Sequence, residues 1–255
     1  MTGGETPPLQ NWLLNVTRLM ATWYRSFPHP KKIQKKDLTP ISRVLYSGPK
    51  KTDRSVSLGW PMELKQRIIL ESLRLFSLKG FLSTSIQDIL TAAGTSKGGF
   101  YNHFKSKEDL FFAVLAEARK IWRDHHLIGL EQIDKPVEKV KKLLQNHRDF
   151  YLKDTECLPG GCIFVTLLVE LDDQLPNLAQ EVNKGFHSLK AMISRLLEQG
   201  KSSGELQEGA DTNAVTEMIF SGILGATISY GMEKSPANAD QTINAMLDYL
   251  NRLAP

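Results

Sequence analysis

The chain has 255 residues, enough for one large domain or two modest ones, and its 41% apolar and 24% charged content is ordinary for a globular protein. No stretch approaches the roughly 18 uninterrupted apolar residues of a membrane span, and the start lacks the basic-then-apolar pattern of a secretory signal, so neither a membrane nor an exported protein is expected. The net charge of +4 is uneven: residues 1–61 carry ten Lys/Arg against three Asp/Glu, residues 62–110 seven against five, and residues 111–255 fifteen against twenty. That distribution suits an anionic partner approaching one end, although chance scatter gives the same numbers. Two cysteines are too few for a disulfide framework and point to a reducing cytoplasm.

In chain order, Leu9, Trp12, Leu13, Val16, Leu19, Met20 and Trp23 recur at helical spacing and predict a short amphipathic helix. Four prolines (Pro28, Pro30, Pro40, Pro49) among clustered lysines then predict a disordered basic segment. Residues 1–61 therefore read as an extension, and Met62, which opens the first strong pattern, is a candidate start. Leu64, Ile68, Leu73 and Phe76 predict a helix stopped at Gly80. Thr84 with Gln87, and Ser85 with Asp88, both have capping-box spacing ahead of Ile86, Ile89 and Leu90. Gly94 turns the chain, Ser96 caps a short helix through His103, and Ser106 caps a longer one. Further helices are expected near 136–153, 162–172, 177–200, 211–231 and 237–253, separated by Pro136, Pro159, Pro176, Gly204 and Pro236. No strand alternation intervenes, so the expected fold is all-α.

Residues 85–103 thus form helix, four-residue turn, helix, the spacing of a DNA-binding helix-turn-helix. The second helix brings small residues that let its backbone approach a groove, and donors for phosphates and base edges: Lys97, Gly98, Gly99, Tyr101, Asn102 and His103. From Gly80-Phe81 through Thr84-Ser85-Ile86-Gln87-Asp88-Ile89 and Ala93-Gly94-Thr95-Ser96-Lys97-Gly98-Gly99-Phe100-Tyr101-Asn102-His103-Phe104 to Lys107-Glu108-Asp109-Leu110, the chain resembles the TetR family of bacterial transcription regulators. The resemblance implies a DNA-binding domain over residues 62–108 and a helical ligand-binding and dimerisation domain over 109–255. It places Thr84, Ser85, Gln87 and Ser96 at the DNA, Lys97, Gly98 and Gly99 at the tip of the reading helix, Tyr101, Asn102 and His103 beside them, and Lys107 on the phosphate backbone. It further implies a homodimer on an inverted-repeat operator, and a repressor released by a small molecule.

In the C-terminal body, Gly222, Gly225, Ala226 and Ser229 on one helix, with Met246 and Leu250 on the next, are the candidate dimer contacts. Phe112, Trp122, His126, Phe150, Tyr151, Phe164, Phe186 and Met192 are candidates to line a ligand pocket, as aromatic and sulfur side chains suited either to a ligand or to plain core. Gly161-Cys162 at a helix start resembles a subgroup of the family that senses electrophiles, since a helix N-terminus favours thiolate; a buried structural cysteine fits equally.

Enzyme readings find little. Gly200-Lys201-Ser202-Ser203-Gly204 has the hydrolase-elbow pattern but follows a helical stretch rather than a strand, and Arg195 stands where a P-loop needs glycine. No cofactor is called for. A metal-responsive protein using Cys157, Cys162 and a histidine stays open, and metal analysis would separate it from an organic-ligand sensor.

Overall fold

The computed structural model describes residues 63–255, apart from 172–173 and 234. The helix and basic segment expected within 1–61 lie outside the described residues. Among the described residues there are nine α-helices: α1 Leu64–Lys79, α2 Ile86–Ala92, α3 Lys97–Tyr101, α4 Lys107–His126, α5 Pro136–Asn146, α6 Ile163–Leu171, α7 Pro176–Ser202, α8 Thr212–Glu233 and α9 Pro236–Arg252. No strand occurs among the described residues.

The local chemistry explains the first four boundaries. Ser85 forms the capping box of α2 with Asp88, while Thr84, the other candidate, is buried and donates its hydroxyl to the Gly80 carbonyl at 2.6 Å. Ser96 accepts from Gly99 N–H and Ser106 from Asp109 N–H, satisfying donors that helix starts leave open. α3 ends at Tyr101, two residues short of the expected His103. Around these caps, Ile68, Leu73, Phe76, Phe81, Ile89, Phe100 and Phe111 are buried together, with Phe81 edge-on to both Phe76 and Phe111 at about 5.4 and 5.3 Å. Each such phenyl ring contributes roughly 2–3 kcal/mol by leaving water.

Two departures from the expected helices shape the rest. The helix expected over 136–153 ends at Asn146 and continues as a π-helical turn, His147–Tyr151, closed by Leu152 N–H on the His147 carbonyl at 3.0 Å. The wider turn presents His147 and Tyr151 on one side, their rings nearly parallel at 5.7 Å. α7 runs without interruption to Ser202, so the elbow-like glycines lie at a helix end. Its partners are α5, α6 and α8, and α9 packs along α8.

Candidate DNA-reading surface and ligand cavity

The exposed side of α2 and α3 carries Gln87, Lys97, Gly98, Tyr101, Asn102 and His103. α1 holds this pair in place: Arg67 Nε donates to the Ala93 carbonyl at 2.7 Å, and Phe100 is fully buried beneath Tyr101. The two glycines at the tip of α3 differ. A side chain at Gly98 would meet nothing closer than Ser96 Oγ at 3.9 Å, whereas one at Gly99 would collide with Thr95 Oγ1 and touch Leu64. Gly98 therefore faces outward and Gly99 faces α1.

Three of the expected DNA contacts are engaged within the protein. Thr84 is buried by its bond to Gly80, and Ser85, though exposed, bonds Asp88 through its hydroxyl at 2.8 Å. Lys107 donates to the Phe81 and Thr84 carbonyls at 2.9 and 3.0 Å and sits 4.2 Å above the Phe81 ring. It pins α4 to the α1–α2 turn rather than reaching for a phosphate. Motif position alone could not show that, because a lysine stem is long enough for either task.

The same turn is gripped from the other side. Glu170, at the C-terminal end of α6, accepts from Phe81 N–H at 2.6 Å and Leu82 N–H at 2.9 Å, a charge-assisted pair closed over Gly80. Gly80 takes φ +82, and a side chain there would overlap the Glu170 carboxylate. One loop earlier than α6, Gly160 N–H donates to Ser77 Oγ at 3.3 Å, and the loop lies so close to α1 that a Cβ on Gly160 would strike the Ser77 carbonyl. α6 and the loop before it thus seat directly on α1 and the α1–α2 turn.

The other end of α6 opens onto a cavity of about 520 Å³, walled by α4, the π turn, α6, α7 and α8. Six of the candidate pocket residues line it: Trp122, Tyr151, Cys162, Phe164, Phe186 and Met192. Phe112 and Phe150 do not; they are 48% and 42% exposed, because helical spacing shows that a face exists without showing which way it turns. His126 is buried behind the wall, stacked on Trp122 at 4.3 Å and bonded to His147, which does line the cavity. His147, Thr227, Arg119, Arg123 and Lys184 were not legible as pocket residues, since no motif marks them.

Cys162, open between a sensing thiol and a structural one, is shifted toward the thiol form. Tyr151 donates its hydroxyl to Cys162 Sγ at 3.2 Å, and N–H groups at the start of α6 favour thiolate, yet burial outweighs them and pushes the thiol up. Cys157 is also pushed up, to about 11, by burial and by Asp154. Among the described residues no three His, Cys, Asp or Glu side chains converge as a metal site.

Burial also holds two histidines neutral, taking His147 down to about 4 and His126 well below its usual range, with His147 adding to the shift. Unfolded histidines take a proton near 6.5, so below that pH the unfolded chain binds protons that the folded chain refuses. Stability is then complete above about pH 6.5 and falls as pH drops toward 4, by up to about 1.4 kcal/mol per pH unit for each ring. Melting temperature should decline from pH 7 to 5, less steeply in His147→Gln; a variant with the wild-type slope would contradict the assignment.

The dimer candidates divide as well. Ala226, Met246 and Leu250 are buried within the protomer, and a side chain on Gly222 would collide with Met246, so Gly222 and Met246 belong to α8–α9 packing. Gly222 serves this internal contact, which the sequence pattern could not tell from a dimer face. Gly225 faces outward with nothing within 4 Å of an added Cβ, and on the same exposed side stand Ile228 (49% exposed) and Met232 (63%), with Tyr249 on α9.

A short capped helix with an open tip, held on a helical body that encloses a cavity, defines the class of helix-turn-helix transcription regulators. The chain belongs to the TetR family. Residues 68–114 match the family model described as bacterial regulatory proteins, tetR family, and residues 136–246 match that of the tetracyclin repressor-like C-terminal domain. The HTH-type transcriptional repressor DhaR of Mycobacterium sp. strain GP1 is 24% identical over 189 residues, 73% of this chain and 92% of that protein. An uncharacterised HTH-type regulator in the lacX 3′ region of Lactococcus lactis subsp. lactis is 31% identical over 136 residues, 52% of this chain and 67% of that protein. A TetR regulator structure from Chloroflexus aurantiacus J-10-FL superposes with a TM-score of 0.68 at 26% identity, over 74% of this chain and 94% of that one. The chain is a DNA-binding regulator, and its relatives are regulators rather than enzymes. Among the described residues no helix is long and apolar enough to cross a membrane.

Proposed function

We propose that this chain is a cytoplasmic, homodimeric repressor that binds an inverted-repeat operator and leaves it when a small molecule occupies the cavity. In this reading residues 62–108 read DNA and residues 109–255 sense and dimerise. The observation that carries it is α6: Cys162, Phe164 and Val165 at one end line the cavity, and Glu170 at the other holds the α1–α2 turn. A ligand that displaces α6 acts on the DNA-reading unit through that carboxylate. About 3 kcal/mol of differential binding between the two arrangements would lower DNA affinity more than a hundredfold. The raised Cys162 thiol favours a non-covalent occupant over an electrophile. Cys162→Ser should accordingly still release DNA.

The reading predicts specific binding to a site in the gene's own upstream region. Lys97→Ala and Tyr101→Ala should each weaken it by roughly ten- to a hundredfold, and Lys97→Ala should lower the salt slope by about one if it meets a phosphate. Wild-type affinity no better than for random duplex would refute the reading. A reporter driven by that region, screened with compounds of varied charge, tests release.

For the dimer, Gly225, Ile228, Ser229 and Met232 of α8, with Tyr249 of α9, form the proposed face. Gly225→Arg would set an unpaired charge in a closed contact. Light scattering should give twice the chain mass for wild type and a shift toward the single chain for the variant. A monomeric wild type at micromolar concentration would refute the face.

A further inference from the structure

A line of four polar contacts runs beside the cavity between two backbone carbonyls. His126 Nδ1 faces the Trp122 carbonyl at 2.9 Å, His126 Nε2 faces His147 Nδ1 at 2.9 Å, His147 Nε2 faces Thr227 Oγ1 at 3.1 Å, and Thr227 Oγ1 faces the Ile223 carbonyl at 2.8 Å. Carbonyls only accept, so each contact needs one proton from the groups between them. Two neutral imidazoles and one hydroxyl supply three. With both rings neutral, one contact must set lone pair against lone pair, wherever the three protons sit. A fourth proton fills every contact and leaves one positive charge on the line. Burial opposes that charge unless an anion stands beside it.

The cavity is a place for such an anion. His147 and Thr227 line it, and so do Arg119, Arg123 and Lys184, while no Asp or Glu does. Glu181 pairs with both Arg119 and Lys184; Arg123 makes no ion pair within 4.0 Å among the described residues. Most of the remaining wall is apolar, including Trp122, Phe164, Phe186, Leu189, Met192 and Ile223. Around the two rings stand His125 of α4, Tyr151 of the π turn and Cys162 of α6. Asp154 is bonded to His125, and Asp149 and Asp240 lie against Arg148, which also donates to Asn244 of α9.

We propose that the cavity takes an apolar molecule bearing one acidic group, bound as its anion, and that the His126–His147–Thr227 line takes up one proton when it binds. This rests on the ligand-release reading above and names the chemical class of the ligand. Because the bound form holds the extra proton, affinity is highest at low pH and falls about tenfold per pH unit as the medium grows more alkaline.

The test is calorimetric titration of the full chain near neutral pH with octanoate, decanoate and dodecanoate, beside the matching alcohols and amines, in two buffers of different ionisation enthalpy. The expected result is binding of the acids at least tenfold tighter than of the alcohols, with uptake of close to one proton. His147→Phe should abolish the uptake, and Arg123→Gln should weaken the preference for acids over alcohols. Should His147→Phe fail to fold, the buffer comparison on wild type decides alone. Acids that bind without proton uptake would overturn the proposal, as would alcohols or amines that bind as well as the acids; if those neutral or cationic probes also release operator DNA, the ligand reading survives. Failure of every acid to bind overturns it too, and the reporter screen then judges the ligand reading separately.

Discussion

Glu170→Ala should lower the folding free energy by about 3 kcal/mol and weaken the response of operator binding to any inducer. The Glu170 carboxylate is the acceptor for both Phe81 N–H and Leu82 N–H, and alanine leaves those two donors part-buried without it. Hydrogen bonds to a charged group contribute roughly 1.5–3 kcal/mol each, and water reaching this half-buried site recovers some of the loss. Glu170→Gln keeps an acceptor for one N–H but turns an amide donor toward the other, so it should fall between alanine and wild type. Denaturant midpoints read the first effect. Operator titrations with and without inducer read the second: an alanine variant that folds yet releases DNA with wild-type sensitivity would show that α6 signals by another route.

Gly160→Ala should be worse than its single added methyl suggests. The new Cβ would land on the Ser77 carbonyl, part of the backbone of α1, which cannot yield as a side-chain tip can. Overpacking typically costs 1–3 kcal/mol, and a backbone collision belongs at or above the top of that range. A loss of about 3 kcal/mol corresponds to a melting point lower by roughly 10 °C in a protein of this size. Gly185→Ala is the matched control, since nothing lies within 4 Å of its added Cβ and it sits inside α7, where alanine is the better helix former. Equal melting points for the two variants would mean that the loop before α6 is free to move off α1.

Sequence reasoning reached the all-α fold and its helix-turn-helix because both are written in local chemistry. Serine caps at Ser85, Ser96 and Ser106 and a glycine stop at Gly80 act within a few residues, so spacing alone reveals them. What it missed depends on contacts between distant residues. Periodicity grouped Phe112 with the pocket, but only packing turns it outward. The helix start at Cys162 favours thiolate, but the burial that outweighs it comes from helices far along the chain. His147 carries no motif; it is the π turn and the neighbouring His126 that make it more than a core histidine. The stripe on α8 reads as one face, although a side chain at Gly222 would meet Met246 and one at Gly225 would meet nothing within 4 Å.

The contrast between Gly98 and Gly99 bears on how such a regulator could acquire a new target. A residue added at 98 meets open space on the outward side of α3, and replacing a helical glycine by almost any other residue is neutral or mildly favourable for the helix itself. A side chain at 98 therefore costs the fold nothing, and in the proposed reading it would change operator preference. Selection from a library randomised at 98 alone should yield folded variants with altered base preference, whereas the same library at 99 should be depleted by its contact with Thr95 and Leu64. The outward side of α3 thus holds one position open to change, beside another where Thr95 must turn aside before any side chain fits.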